Sequence, residues 1–277
     1  MAPDLLVILC THNPRADYLA ATLAALRTQT LPASAWSLLV IDNASPQPIA
    51  PTLDLAWSPG ARVVREDRLG IAHARHRALR EARDVSAALV LFVDDDNVLA
   101  PDYLEQGLAI AILWPQLGAW GGQLVARYES APPAWAQPYL KYLAITELGR
   151  DRWTNHVDNY DSVPPTAGCF LSAAVRRGYL ELLERDPRHL ALGPQGSERV
   201  GGEDTDLMLT AIDLGLGLGR FQRLRLEHLI PGSRLTPGYL AALLESITLG
   251  TGLLEYLRFA RTPRAPARNP VERLIAA

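Results

Sequence analysis

Methionine and cysteine are scarce in this 277-residue chain, with two of each, and Lys141 is its only lysine among 27 basic residues. Cys10 and Cys169 stand far apart and match no zinc-ligand spacing. They read as two reduced, buried thiols of a cytosolic protein. With one lysine, any contact to a phosphate falls to arginine or to backbone N–H groups. Strong charge is missing too: a net charge of −3 argues against a nucleic-acid-binding surface. No G-x-G-x-x-G follows the first apolar run, and neither a P-loop nor a G-x-S-x-G elbow occurs. The similar text "GLGLG" at 215–219 follows a helical pattern, so a dinucleotide-binding turn is excluded there. The N-terminus "MAPDLLVILCTHN" lacks a basic region, and its apolar run is too short for a signal peptide. No apolar run reaches the ~18 residues of a membrane span. The expectation is a cytoplasmic chain, at most peripheral to the inner membrane.

Hydrophobic residues make up 48% of the sequence, enough for a sizeable core. "LLVILC" (5–10), "WSLLVIDNAS" (36–45), "ARVVRED" (61–67) and "AALVLFV" (87–93) read as strands. Between them, "RADYLAATLAALRTQT" and "GIAHARHRALREAR" show apolar residues at helical spacing, and "PDYLEQGLAIAILW" opens with a proline suited to a first helical position. This alternation through about residue 115 predicts an α/β fold with a mostly parallel central sheet flanked by helices. "GGQLVARY" reads as a further strand, and 129–165, rich in Pro, Trp and Tyr, as a long excursion of the kind that often forms a lid. "AGCFLSAAVRRGYLELLER" predicts a strand and a helix. "GGEDTDLMLTAIDLG" predicts a Gly-rich turn feeding a helix that Gly215 closes, and "FQRLRLEHLIP" alternates as a strand. The stretch 236–263 is helical in pattern, broken near Gly250–Gly252, and from Thr262 the chain looks frayed.

Three carboxylates in a row, Asp94, Asp95 and Asp96, follow the apolar run of "LFVDDDN". Adjacent acids repel and cost stability unless something neutralises them, and a divalent metal is a common neutraliser. In open α/β sheets, ligands bind outside the carboxyl ends of the strands. Thr11–Asn13, Asp42 and Asp94–Asp96 all belong there. Taken singly, the acids could equally be a solvated strand cap, and Asp42 a turn former. Farther on, "GGED" places Glu203 and Asp204 at the start of a helix. Taken alone, they favour its N-terminus through the dipole.

In this order, "VILCTHN", "LLVIDNAS", "RLGIAHARHRAL", "LFVDDDNVLAPDYL", "AGCFLSAAVRR" and "GGEDTDLMLTAIDLG" resemble the family 2 glycosyltransferases over residues 4–230. The resemblance implies a GT-A fold, with a Rossmann-like nucleotide-binding half (1–115), an acceptor-binding half (116–233) and C-terminal helices as an extension (234–277). It implies an inverting, single-displacement transfer of sugar from a nucleoside-diphosphate sugar, with UDP the expected nucleotide, to a glycan or glycoconjugate acceptor in a bacterial cell. It implies a divalent cofactor, Mn2+ or Mg2+. By the same resemblance Cys10, Thr11, His12, Asn13 and Asp42 hold the nucleoside, with Asp42 on the base. Arg68, Gly70, Arg75, Asp94, Asp95 and Gly168 line the donor, and Asp96 holds the metal. Asp204 is the general base, and Glu203 orients the acceptor or the loop. The family pattern has Asn after the arginine of "GIAHAR", where this chain has His76.

His228 completes the metal shell or is an ordinary strand histidine, and Arg234 is carried to the diphosphate by the loop 231–237. Trp135, Tyr139, Trp153 and Tyr160 form either an acceptor wall or a minor core. His73, His156 and His189 read as ordinary. A homodimer and a peripheral membrane contact are admitted as partners. The competing class is a non-catalytic sugar-nucleotide-binding or scaffold module on the same fold.

Overall fold

A computed structural model describes residues 5–193 and 200–260. Strand β1 (Leu5–Thr11) is followed by α1 (Ala16–Arg27), β2 (Trp36–Asn43), β3 (Arg62–Glu66), α2 (Ile71–Asp84) and β4 (Leu89–Asp94). Then come β5 (Asn97–Leu99), α3 (Tyr103–Leu113), β6 (Leu117–Tyr128), β7 (Arg152–Thr154), β8 (Cys169–Ser172) and α4 (Ala173–Arg185). Helix α5 (Glu203–Asp213), β9 (Gly217–Ile230) and α6 (Pro237–Phe259) complete the described chain. These strands form one sheet in the order β3-β2-β1-β4-β8-β6-β9-β5, with β7 also paired to β9. Strands β1 to β4 are mutually parallel. β8 runs antiparallel to β4 and β6, and β9 runs parallel to β6. The expected α/β architecture with a mostly parallel sheet is therefore present.

Every residue of β1 is buried, which is why "LLVILC" is apolar throughout instead of alternating. Leu5, Val7 and Leu9 pack with Leu19 and Leu26 of α1 and with Leu104 and Ile110 of α3. Leu6, Ile8 and Cys10 face the other way, against Ala78 of α2, Val175 of α4 and Met208 of α5. Both cysteines are buried free thiols, as expected. Pro101 stands two residues before α3 rather than inside its first turn. The short strand β5, which the sequence did not reveal, pairs with β9 and sets Asn97 opposite His228.

The excursion at 129–165 carries a 3-10 helix, Ala134–Leu143. Its Trp135 and Tyr139 pack with Leu240 and Leu244 of α6 in a small satellite core, so for these two the minor-core alternative holds. Trp153 and Tyr160 are exposed.

The predicted break near Gly250–Gly252 does not occur. α6 runs unbroken for 23 residues, so among the described residues of the extension one helix stands where a broken pair was expected. It is long and apolar enough by composition to cross a membrane, which corrects the expectation that no segment would qualify. Leu240, Leu244 and Leu254 bury one face of it against the body. Gly250 is required by proximity: a Cβ there would stand 2.1 Å from the carbonyl oxygen of Gly201. The helix thus lies backbone to backbone on the loop that enters α5, and Gly201 N–H donates to Ser246 O at 3.0 Å. At its far end Arg258 Nε donates to the fully buried Asp206 at 2.6 Å, and the same guanidinium pairs with Asp213. His189 Nδ1 meets the other Asp206 oxygen at 2.9 Å, so His189 is structural. The frayed end expected from Thr262 lies outside the described residues.

Candidate active site

The carboxyl ends of β1, β2 and β4 open into a cavity of 520 Å³. Its lining brings together Cys10, Thr11, His12, Gly70, Arg75, Asp94, Asp95, Asp96, His228 and Arg234 from the sequence expectation, with Asn43, Leu69 and Ile71. Parallel strands deliver these side chains to one edge because they share a direction, so their last residues stand side by side. Cys10 pairs in register with Ile41 on one side and with Asp94 on the other.

The three acids are not equivalent. Thr11 Oγ1 donates to Asp95. Burial, joined by Asp96 and Asp94, pushes the Asp95 carboxyl up to about 6 against that hydrogen bond. Burial also raises Asp94, opposed by Arg75, whose Nη2 stands 3.8 Å from it. Asp96 is buried as well, yet His228 and Arg234 hold it below the usual carboxylate range. His228 Nε2 lies 3.4 Å from Asp96 Oδ2, and Arg234 Nη1 lies 3.0 Å from the same oxygen and 3.1 Å from His228 Nε2. The Arg234 guanidinium is thus a cation seated between the two residues expected to hold a metal.

No group of three or more His, Cys, Asp or Glu side chains converges as a metal cluster among the described residues. Asp96 and His228 would together offer two protein ligands, a carboxylate oxygen and an imidazole nitrogen. That pair fits a divalent ion whose remaining positions are filled by water and substrate phosphate oxygens, a common arrangement for magnesium and manganese. His228 Nδ1 is buried without a hydrogen-bond partner among the described residues.

Arg75 joins the cavity to the start of α5. It is 7% exposed, and its Nη1 donates to Glu203 Oε1 at 2.5 Å. Burial opposes the Arg75 charge, but Glu203, Asp94 and Asp204 outweigh it and keep the guanidinium above its ordinary range. Burial pushes the Glu203 carboxyl up, with Arg75 opposing. Arg75→Met would leave that carboxylate in a dry site without its partner. Its unfolding free energy is expected to fall by about 3–5 kcal/mol, the usual effect of breaking a buried pair from one side. Urea denaturation checks this, and an unchanged midpoint would show that Glu203 does not depend on Arg75. Asp204 follows Glu203 in the first turn of α5, half-buried, with Oδ1 accepting from Thr205 N–H at 2.7 Å. Gly202, at φ 105°, makes the tight entry into this turn.

Four of the residues expected to hold the donor, Asn13, Asp42, Arg68 and Gly168, stand apart from the cavity lining, as do Glu203 and Asp204. Asp42 Oδ1 accepts from Ser45 N–H and Oδ2 from Ile49 N–H, both at 3.2 Å, and Arg65 adds a contact to Oδ2 at 3.1 Å. The Asp42 carboxylate is thus spent on the turn after β2, as a turn former's would be. Arg68 pairs with Glu66 at 2.8 Å on a half-exposed surface. Gly168 accepts from Tyr103 OH at 2.6 Å and donates to Phe92 O. Asn13 N–H donates to Ser45 Oγ at 2.9 Å and shapes the rim.

Asn43 is the residue sequence reasoning missed. Its side chain donates to Arg68 O at 2.7 Å and accepts from Gly70 N–H at 2.9 Å, while its carbonyl receives His12 Nδ1 at 2.7 Å. It fastens β1, β2 and the entry to α2 together. The signal was its place beside Asp42, the residue that drew the attention. His76 is half-buried on α2, with Nδ1 unpartnered among the described residues.

A family model described as "Glycosyl transferase family 2" matches residues 6–174. No curated protein matches the chain in sequence. Among solved structures, S. aureus TarS 1-349 is similar at TM-score 0.55 and 13% identity, over 92% of this chain and 72% of that one. The same fragment in complex with UDP-GlcNAc is similar at TM-score 0.58 and 14% identity, over 89% of this chain and 66% of that one. Against the longer S. aureus TarS structure the TM-score is 0.57 at 14% identity, with 98% of this chain covering 42% of that chain. At these identities the likeness is one of fold.

Proposed function

Because the chain belongs to glycosyl transferase family 2, we propose that it is an inverting enzyme moving a sugar from a nucleoside-diphosphate sugar to a hydroxyl of a glycan or glycoconjugate. The observation that carries this reading is a single cavity in which Asp94–Asp96, His228, Arg75 and Arg234 meet, with Arg75 tied to the Glu203–Asp204 turn. In this reading the cavity's arginines meet the group on which negative charge grows, and Asp204, outside the cavity, meets the group that gives up a proton.

In the proposed step, Asp204 accepts the proton of the acceptor hydroxyl as that oxygen bonds to the anomeric carbon. The bond from that carbon to the diphosphate oxygen breaks on the opposite face, and its electron pair leaves with the nucleoside diphosphate. Arg75 and Arg234, both in the cavity lining, would receive the leaving diphosphate. Asp96 and His228 would hold the divalent ion, which when bound supplies further positive charge at that oxygen. Arg234 would then give up its place between them and turn to the diphosphate. The halves 1–115 and 116–233 divide the labour in this reading between donor and acceptor. A solved structure of similar fold is a complex with UDP-GlcNAc and another a complex with UDP, which makes UDP the first nucleotide to try.

The test is calorimetric titration of UDP, GDP and dTDP, with manganese and then with chelator. UDP is expected to bind with manganese and to weaken at least about tenfold on chelation or in Asp96→Ala, the effect of about 1.4 kcal/mol. Absence of binding by every nucleotide in both conditions would remove the donor assignment and leave the three acids as a strand cap.

A further inference from the structure

A second group of arginines lies outside this cavity. Arg152 of β7 and Arg220 of β9 are register partners on antiparallel strands. Side chains at such positions stand about 5 Å apart at Cβ, and like charges there repel. Arg220 is only 7% exposed. Its Nε and Nη2, and the Nε of Arg152, are buried N–H donors without a partner among the described residues. What they do have is meagre: Arg220 Nη1 reaches Asp161 O at 3.4 Å, and Arg152 Nη1 stands 3.9 Å from the Asp161 carboxylate, which is 87% exposed. Burial, with Arg152 as the nearest like charge, depresses the Arg220 guanidinium below its ordinary range. Two facing guanidiniums with three unmet nitrogen atoms are destabilising unless an anion joins them.

Their location points toward the transfer site. Leu218, two residues before Arg220 and so on the same face of β9, belongs to the core layer covered by α2, α4 and α5. The Cys169 thiol is close enough to Asp204, Arg75 and Arg220 to feel all three charges. Arg220 therefore stands on the α5 side of the sheet, the face that also carries Cys169. It lines no part of the cavity assigned to the donor. Arg152, with a side chain 39% exposed, gives this pair an opening to solvent.

We propose that Arg152 and Arg220 form a binding site for a phosphate group carried by the acceptor. A tetrahedral oxyanion offers several acceptor atoms to two guanidinium forks and cancels the repulsion between them. The anion site stands on the arginines alone. Its assignment to the acceptor rests on the glycosyltransferase reading above.

The probes are sodium phosphate and glycerol 2-phosphate, against sodium chloride of equal ionic strength, with thermal unfolding of the full chain as readout. In the unsubstituted protein, phosphate is expected to raise Tm by about 3 °C or more, saturably. Arg220→Met is expected to match or exceed the unsubstituted Tm without phosphate and to lose the phosphate-dependent rise. Should Arg220→Met fail to fold, Arg152→Met at the more exposed position carries the test and is expected to weaken phosphate at least tenfold. Phosphate held in the donor cavity would be common to all three proteins. UDP affinity in both variants is expected to equal that of the unsubstituted protein, so a failure of the donor assignment is read separately. Tighter binding of glycerol 2-phosphate than of phosphate supports an acceptor-borne group, and equal binding overturns that assignment. No rise over chloride, or a rise retained in the variants, overturns the site.

Discussion

Asp204→Asn is expected to lower sugar transfer by about 10²–10⁴-fold, the range for loss of a positioned base, with nucleotide affinity nearly unchanged. The substitution is close to isosteric. Asparagine Oδ1 can still accept from Thr205 N–H, which the aspartate accepts at 2.7 Å, so the first turn of α5 keeps its shape. The ion pair that closes the cavity runs from Arg75 to Glu203 and is untouched. What disappears is the ability to hold a proton taken from the acceptor. Radiolabelled or coupled transfer assays beside UDP titration separate the two effects. Full turnover in Asp204→Asn would remove Asp204 as the base. Glu203→Gln would be a less clean probe, since it strips Arg75 of its closest partner and disturbs the cavity itself.

The second large effect is expected from Gly250→Ala, at a position far from the cavity in sequence. The added methyl would lie 2.1 Å from Gly201 O, 2.4 Å from Gly201 C and 2.8 Å from Gly201 Cα. All three are backbone atoms, so no flexible side chain can swing aside. Either α6 lifts or the loop before Glu203 shifts, and the Gly201 N–H···O Ser246 hydrogen bond breaks in both cases. Overpacking of this kind costs about 1–3 kcal/mol. The functional loss should exceed the stability loss, because the moved loop is the one that aims Glu203 and Asp204. Transfer is expected to fall by more than about tenfold, while UDP affinity, which depends on β1, β4 and β9, stays within about twofold. A variant with unaltered Tm and full transfer would show that the α6 contact does not position the loop.

Much of this fold was legible because period and punctuation agree. The buried runs of β1, β2 and β4 could be little else, and the helices between them show clear apolar stripes. Gly215, at φ 74°, closes α5 as its position in the sequence implied, with Leu216 N–H returning to Ala211 O at 2.8 Å. The continuity of α6 was not legible. Gly250 and Gly252 look like a break when only helix propensity is considered, but Gly250 is there for a partner that lies 49 residues earlier in the chain. β5 escaped notice because three residues carry no period, and its reason for being a strand is the long edge of β9.

At the site, the meeting of Thr11, His12 and Asp94–Asp96 followed from their places at strand ends, whereas Arg75 and Glu203 were drawn in by the family resemblance. The role of Asn43 and the engagement of Asp42 did not, because both depend on where a turn sends its backbone N–H groups. Nor did the sequence hint that Arg152 and Arg220 face each other. That pairing is a matter of strand register across 68 residues.

The clamp of α6 on Gly201 also bears on how the protein matures. During translation the residues that line the nucleotide cavity from β1, β2, α2 and β4 leave the ribosome first, and N-terminal units generally fold as they emerge. Helix α6, which lies on the loop before Glu203 through Gly250 and grips α5 through Arg258, is made last among the described elements. A growing chain therefore exposes those strand ends before α6 can hold the loop that precedes Asp204, and His228 and Arg234 join the cavity only once β9 is made.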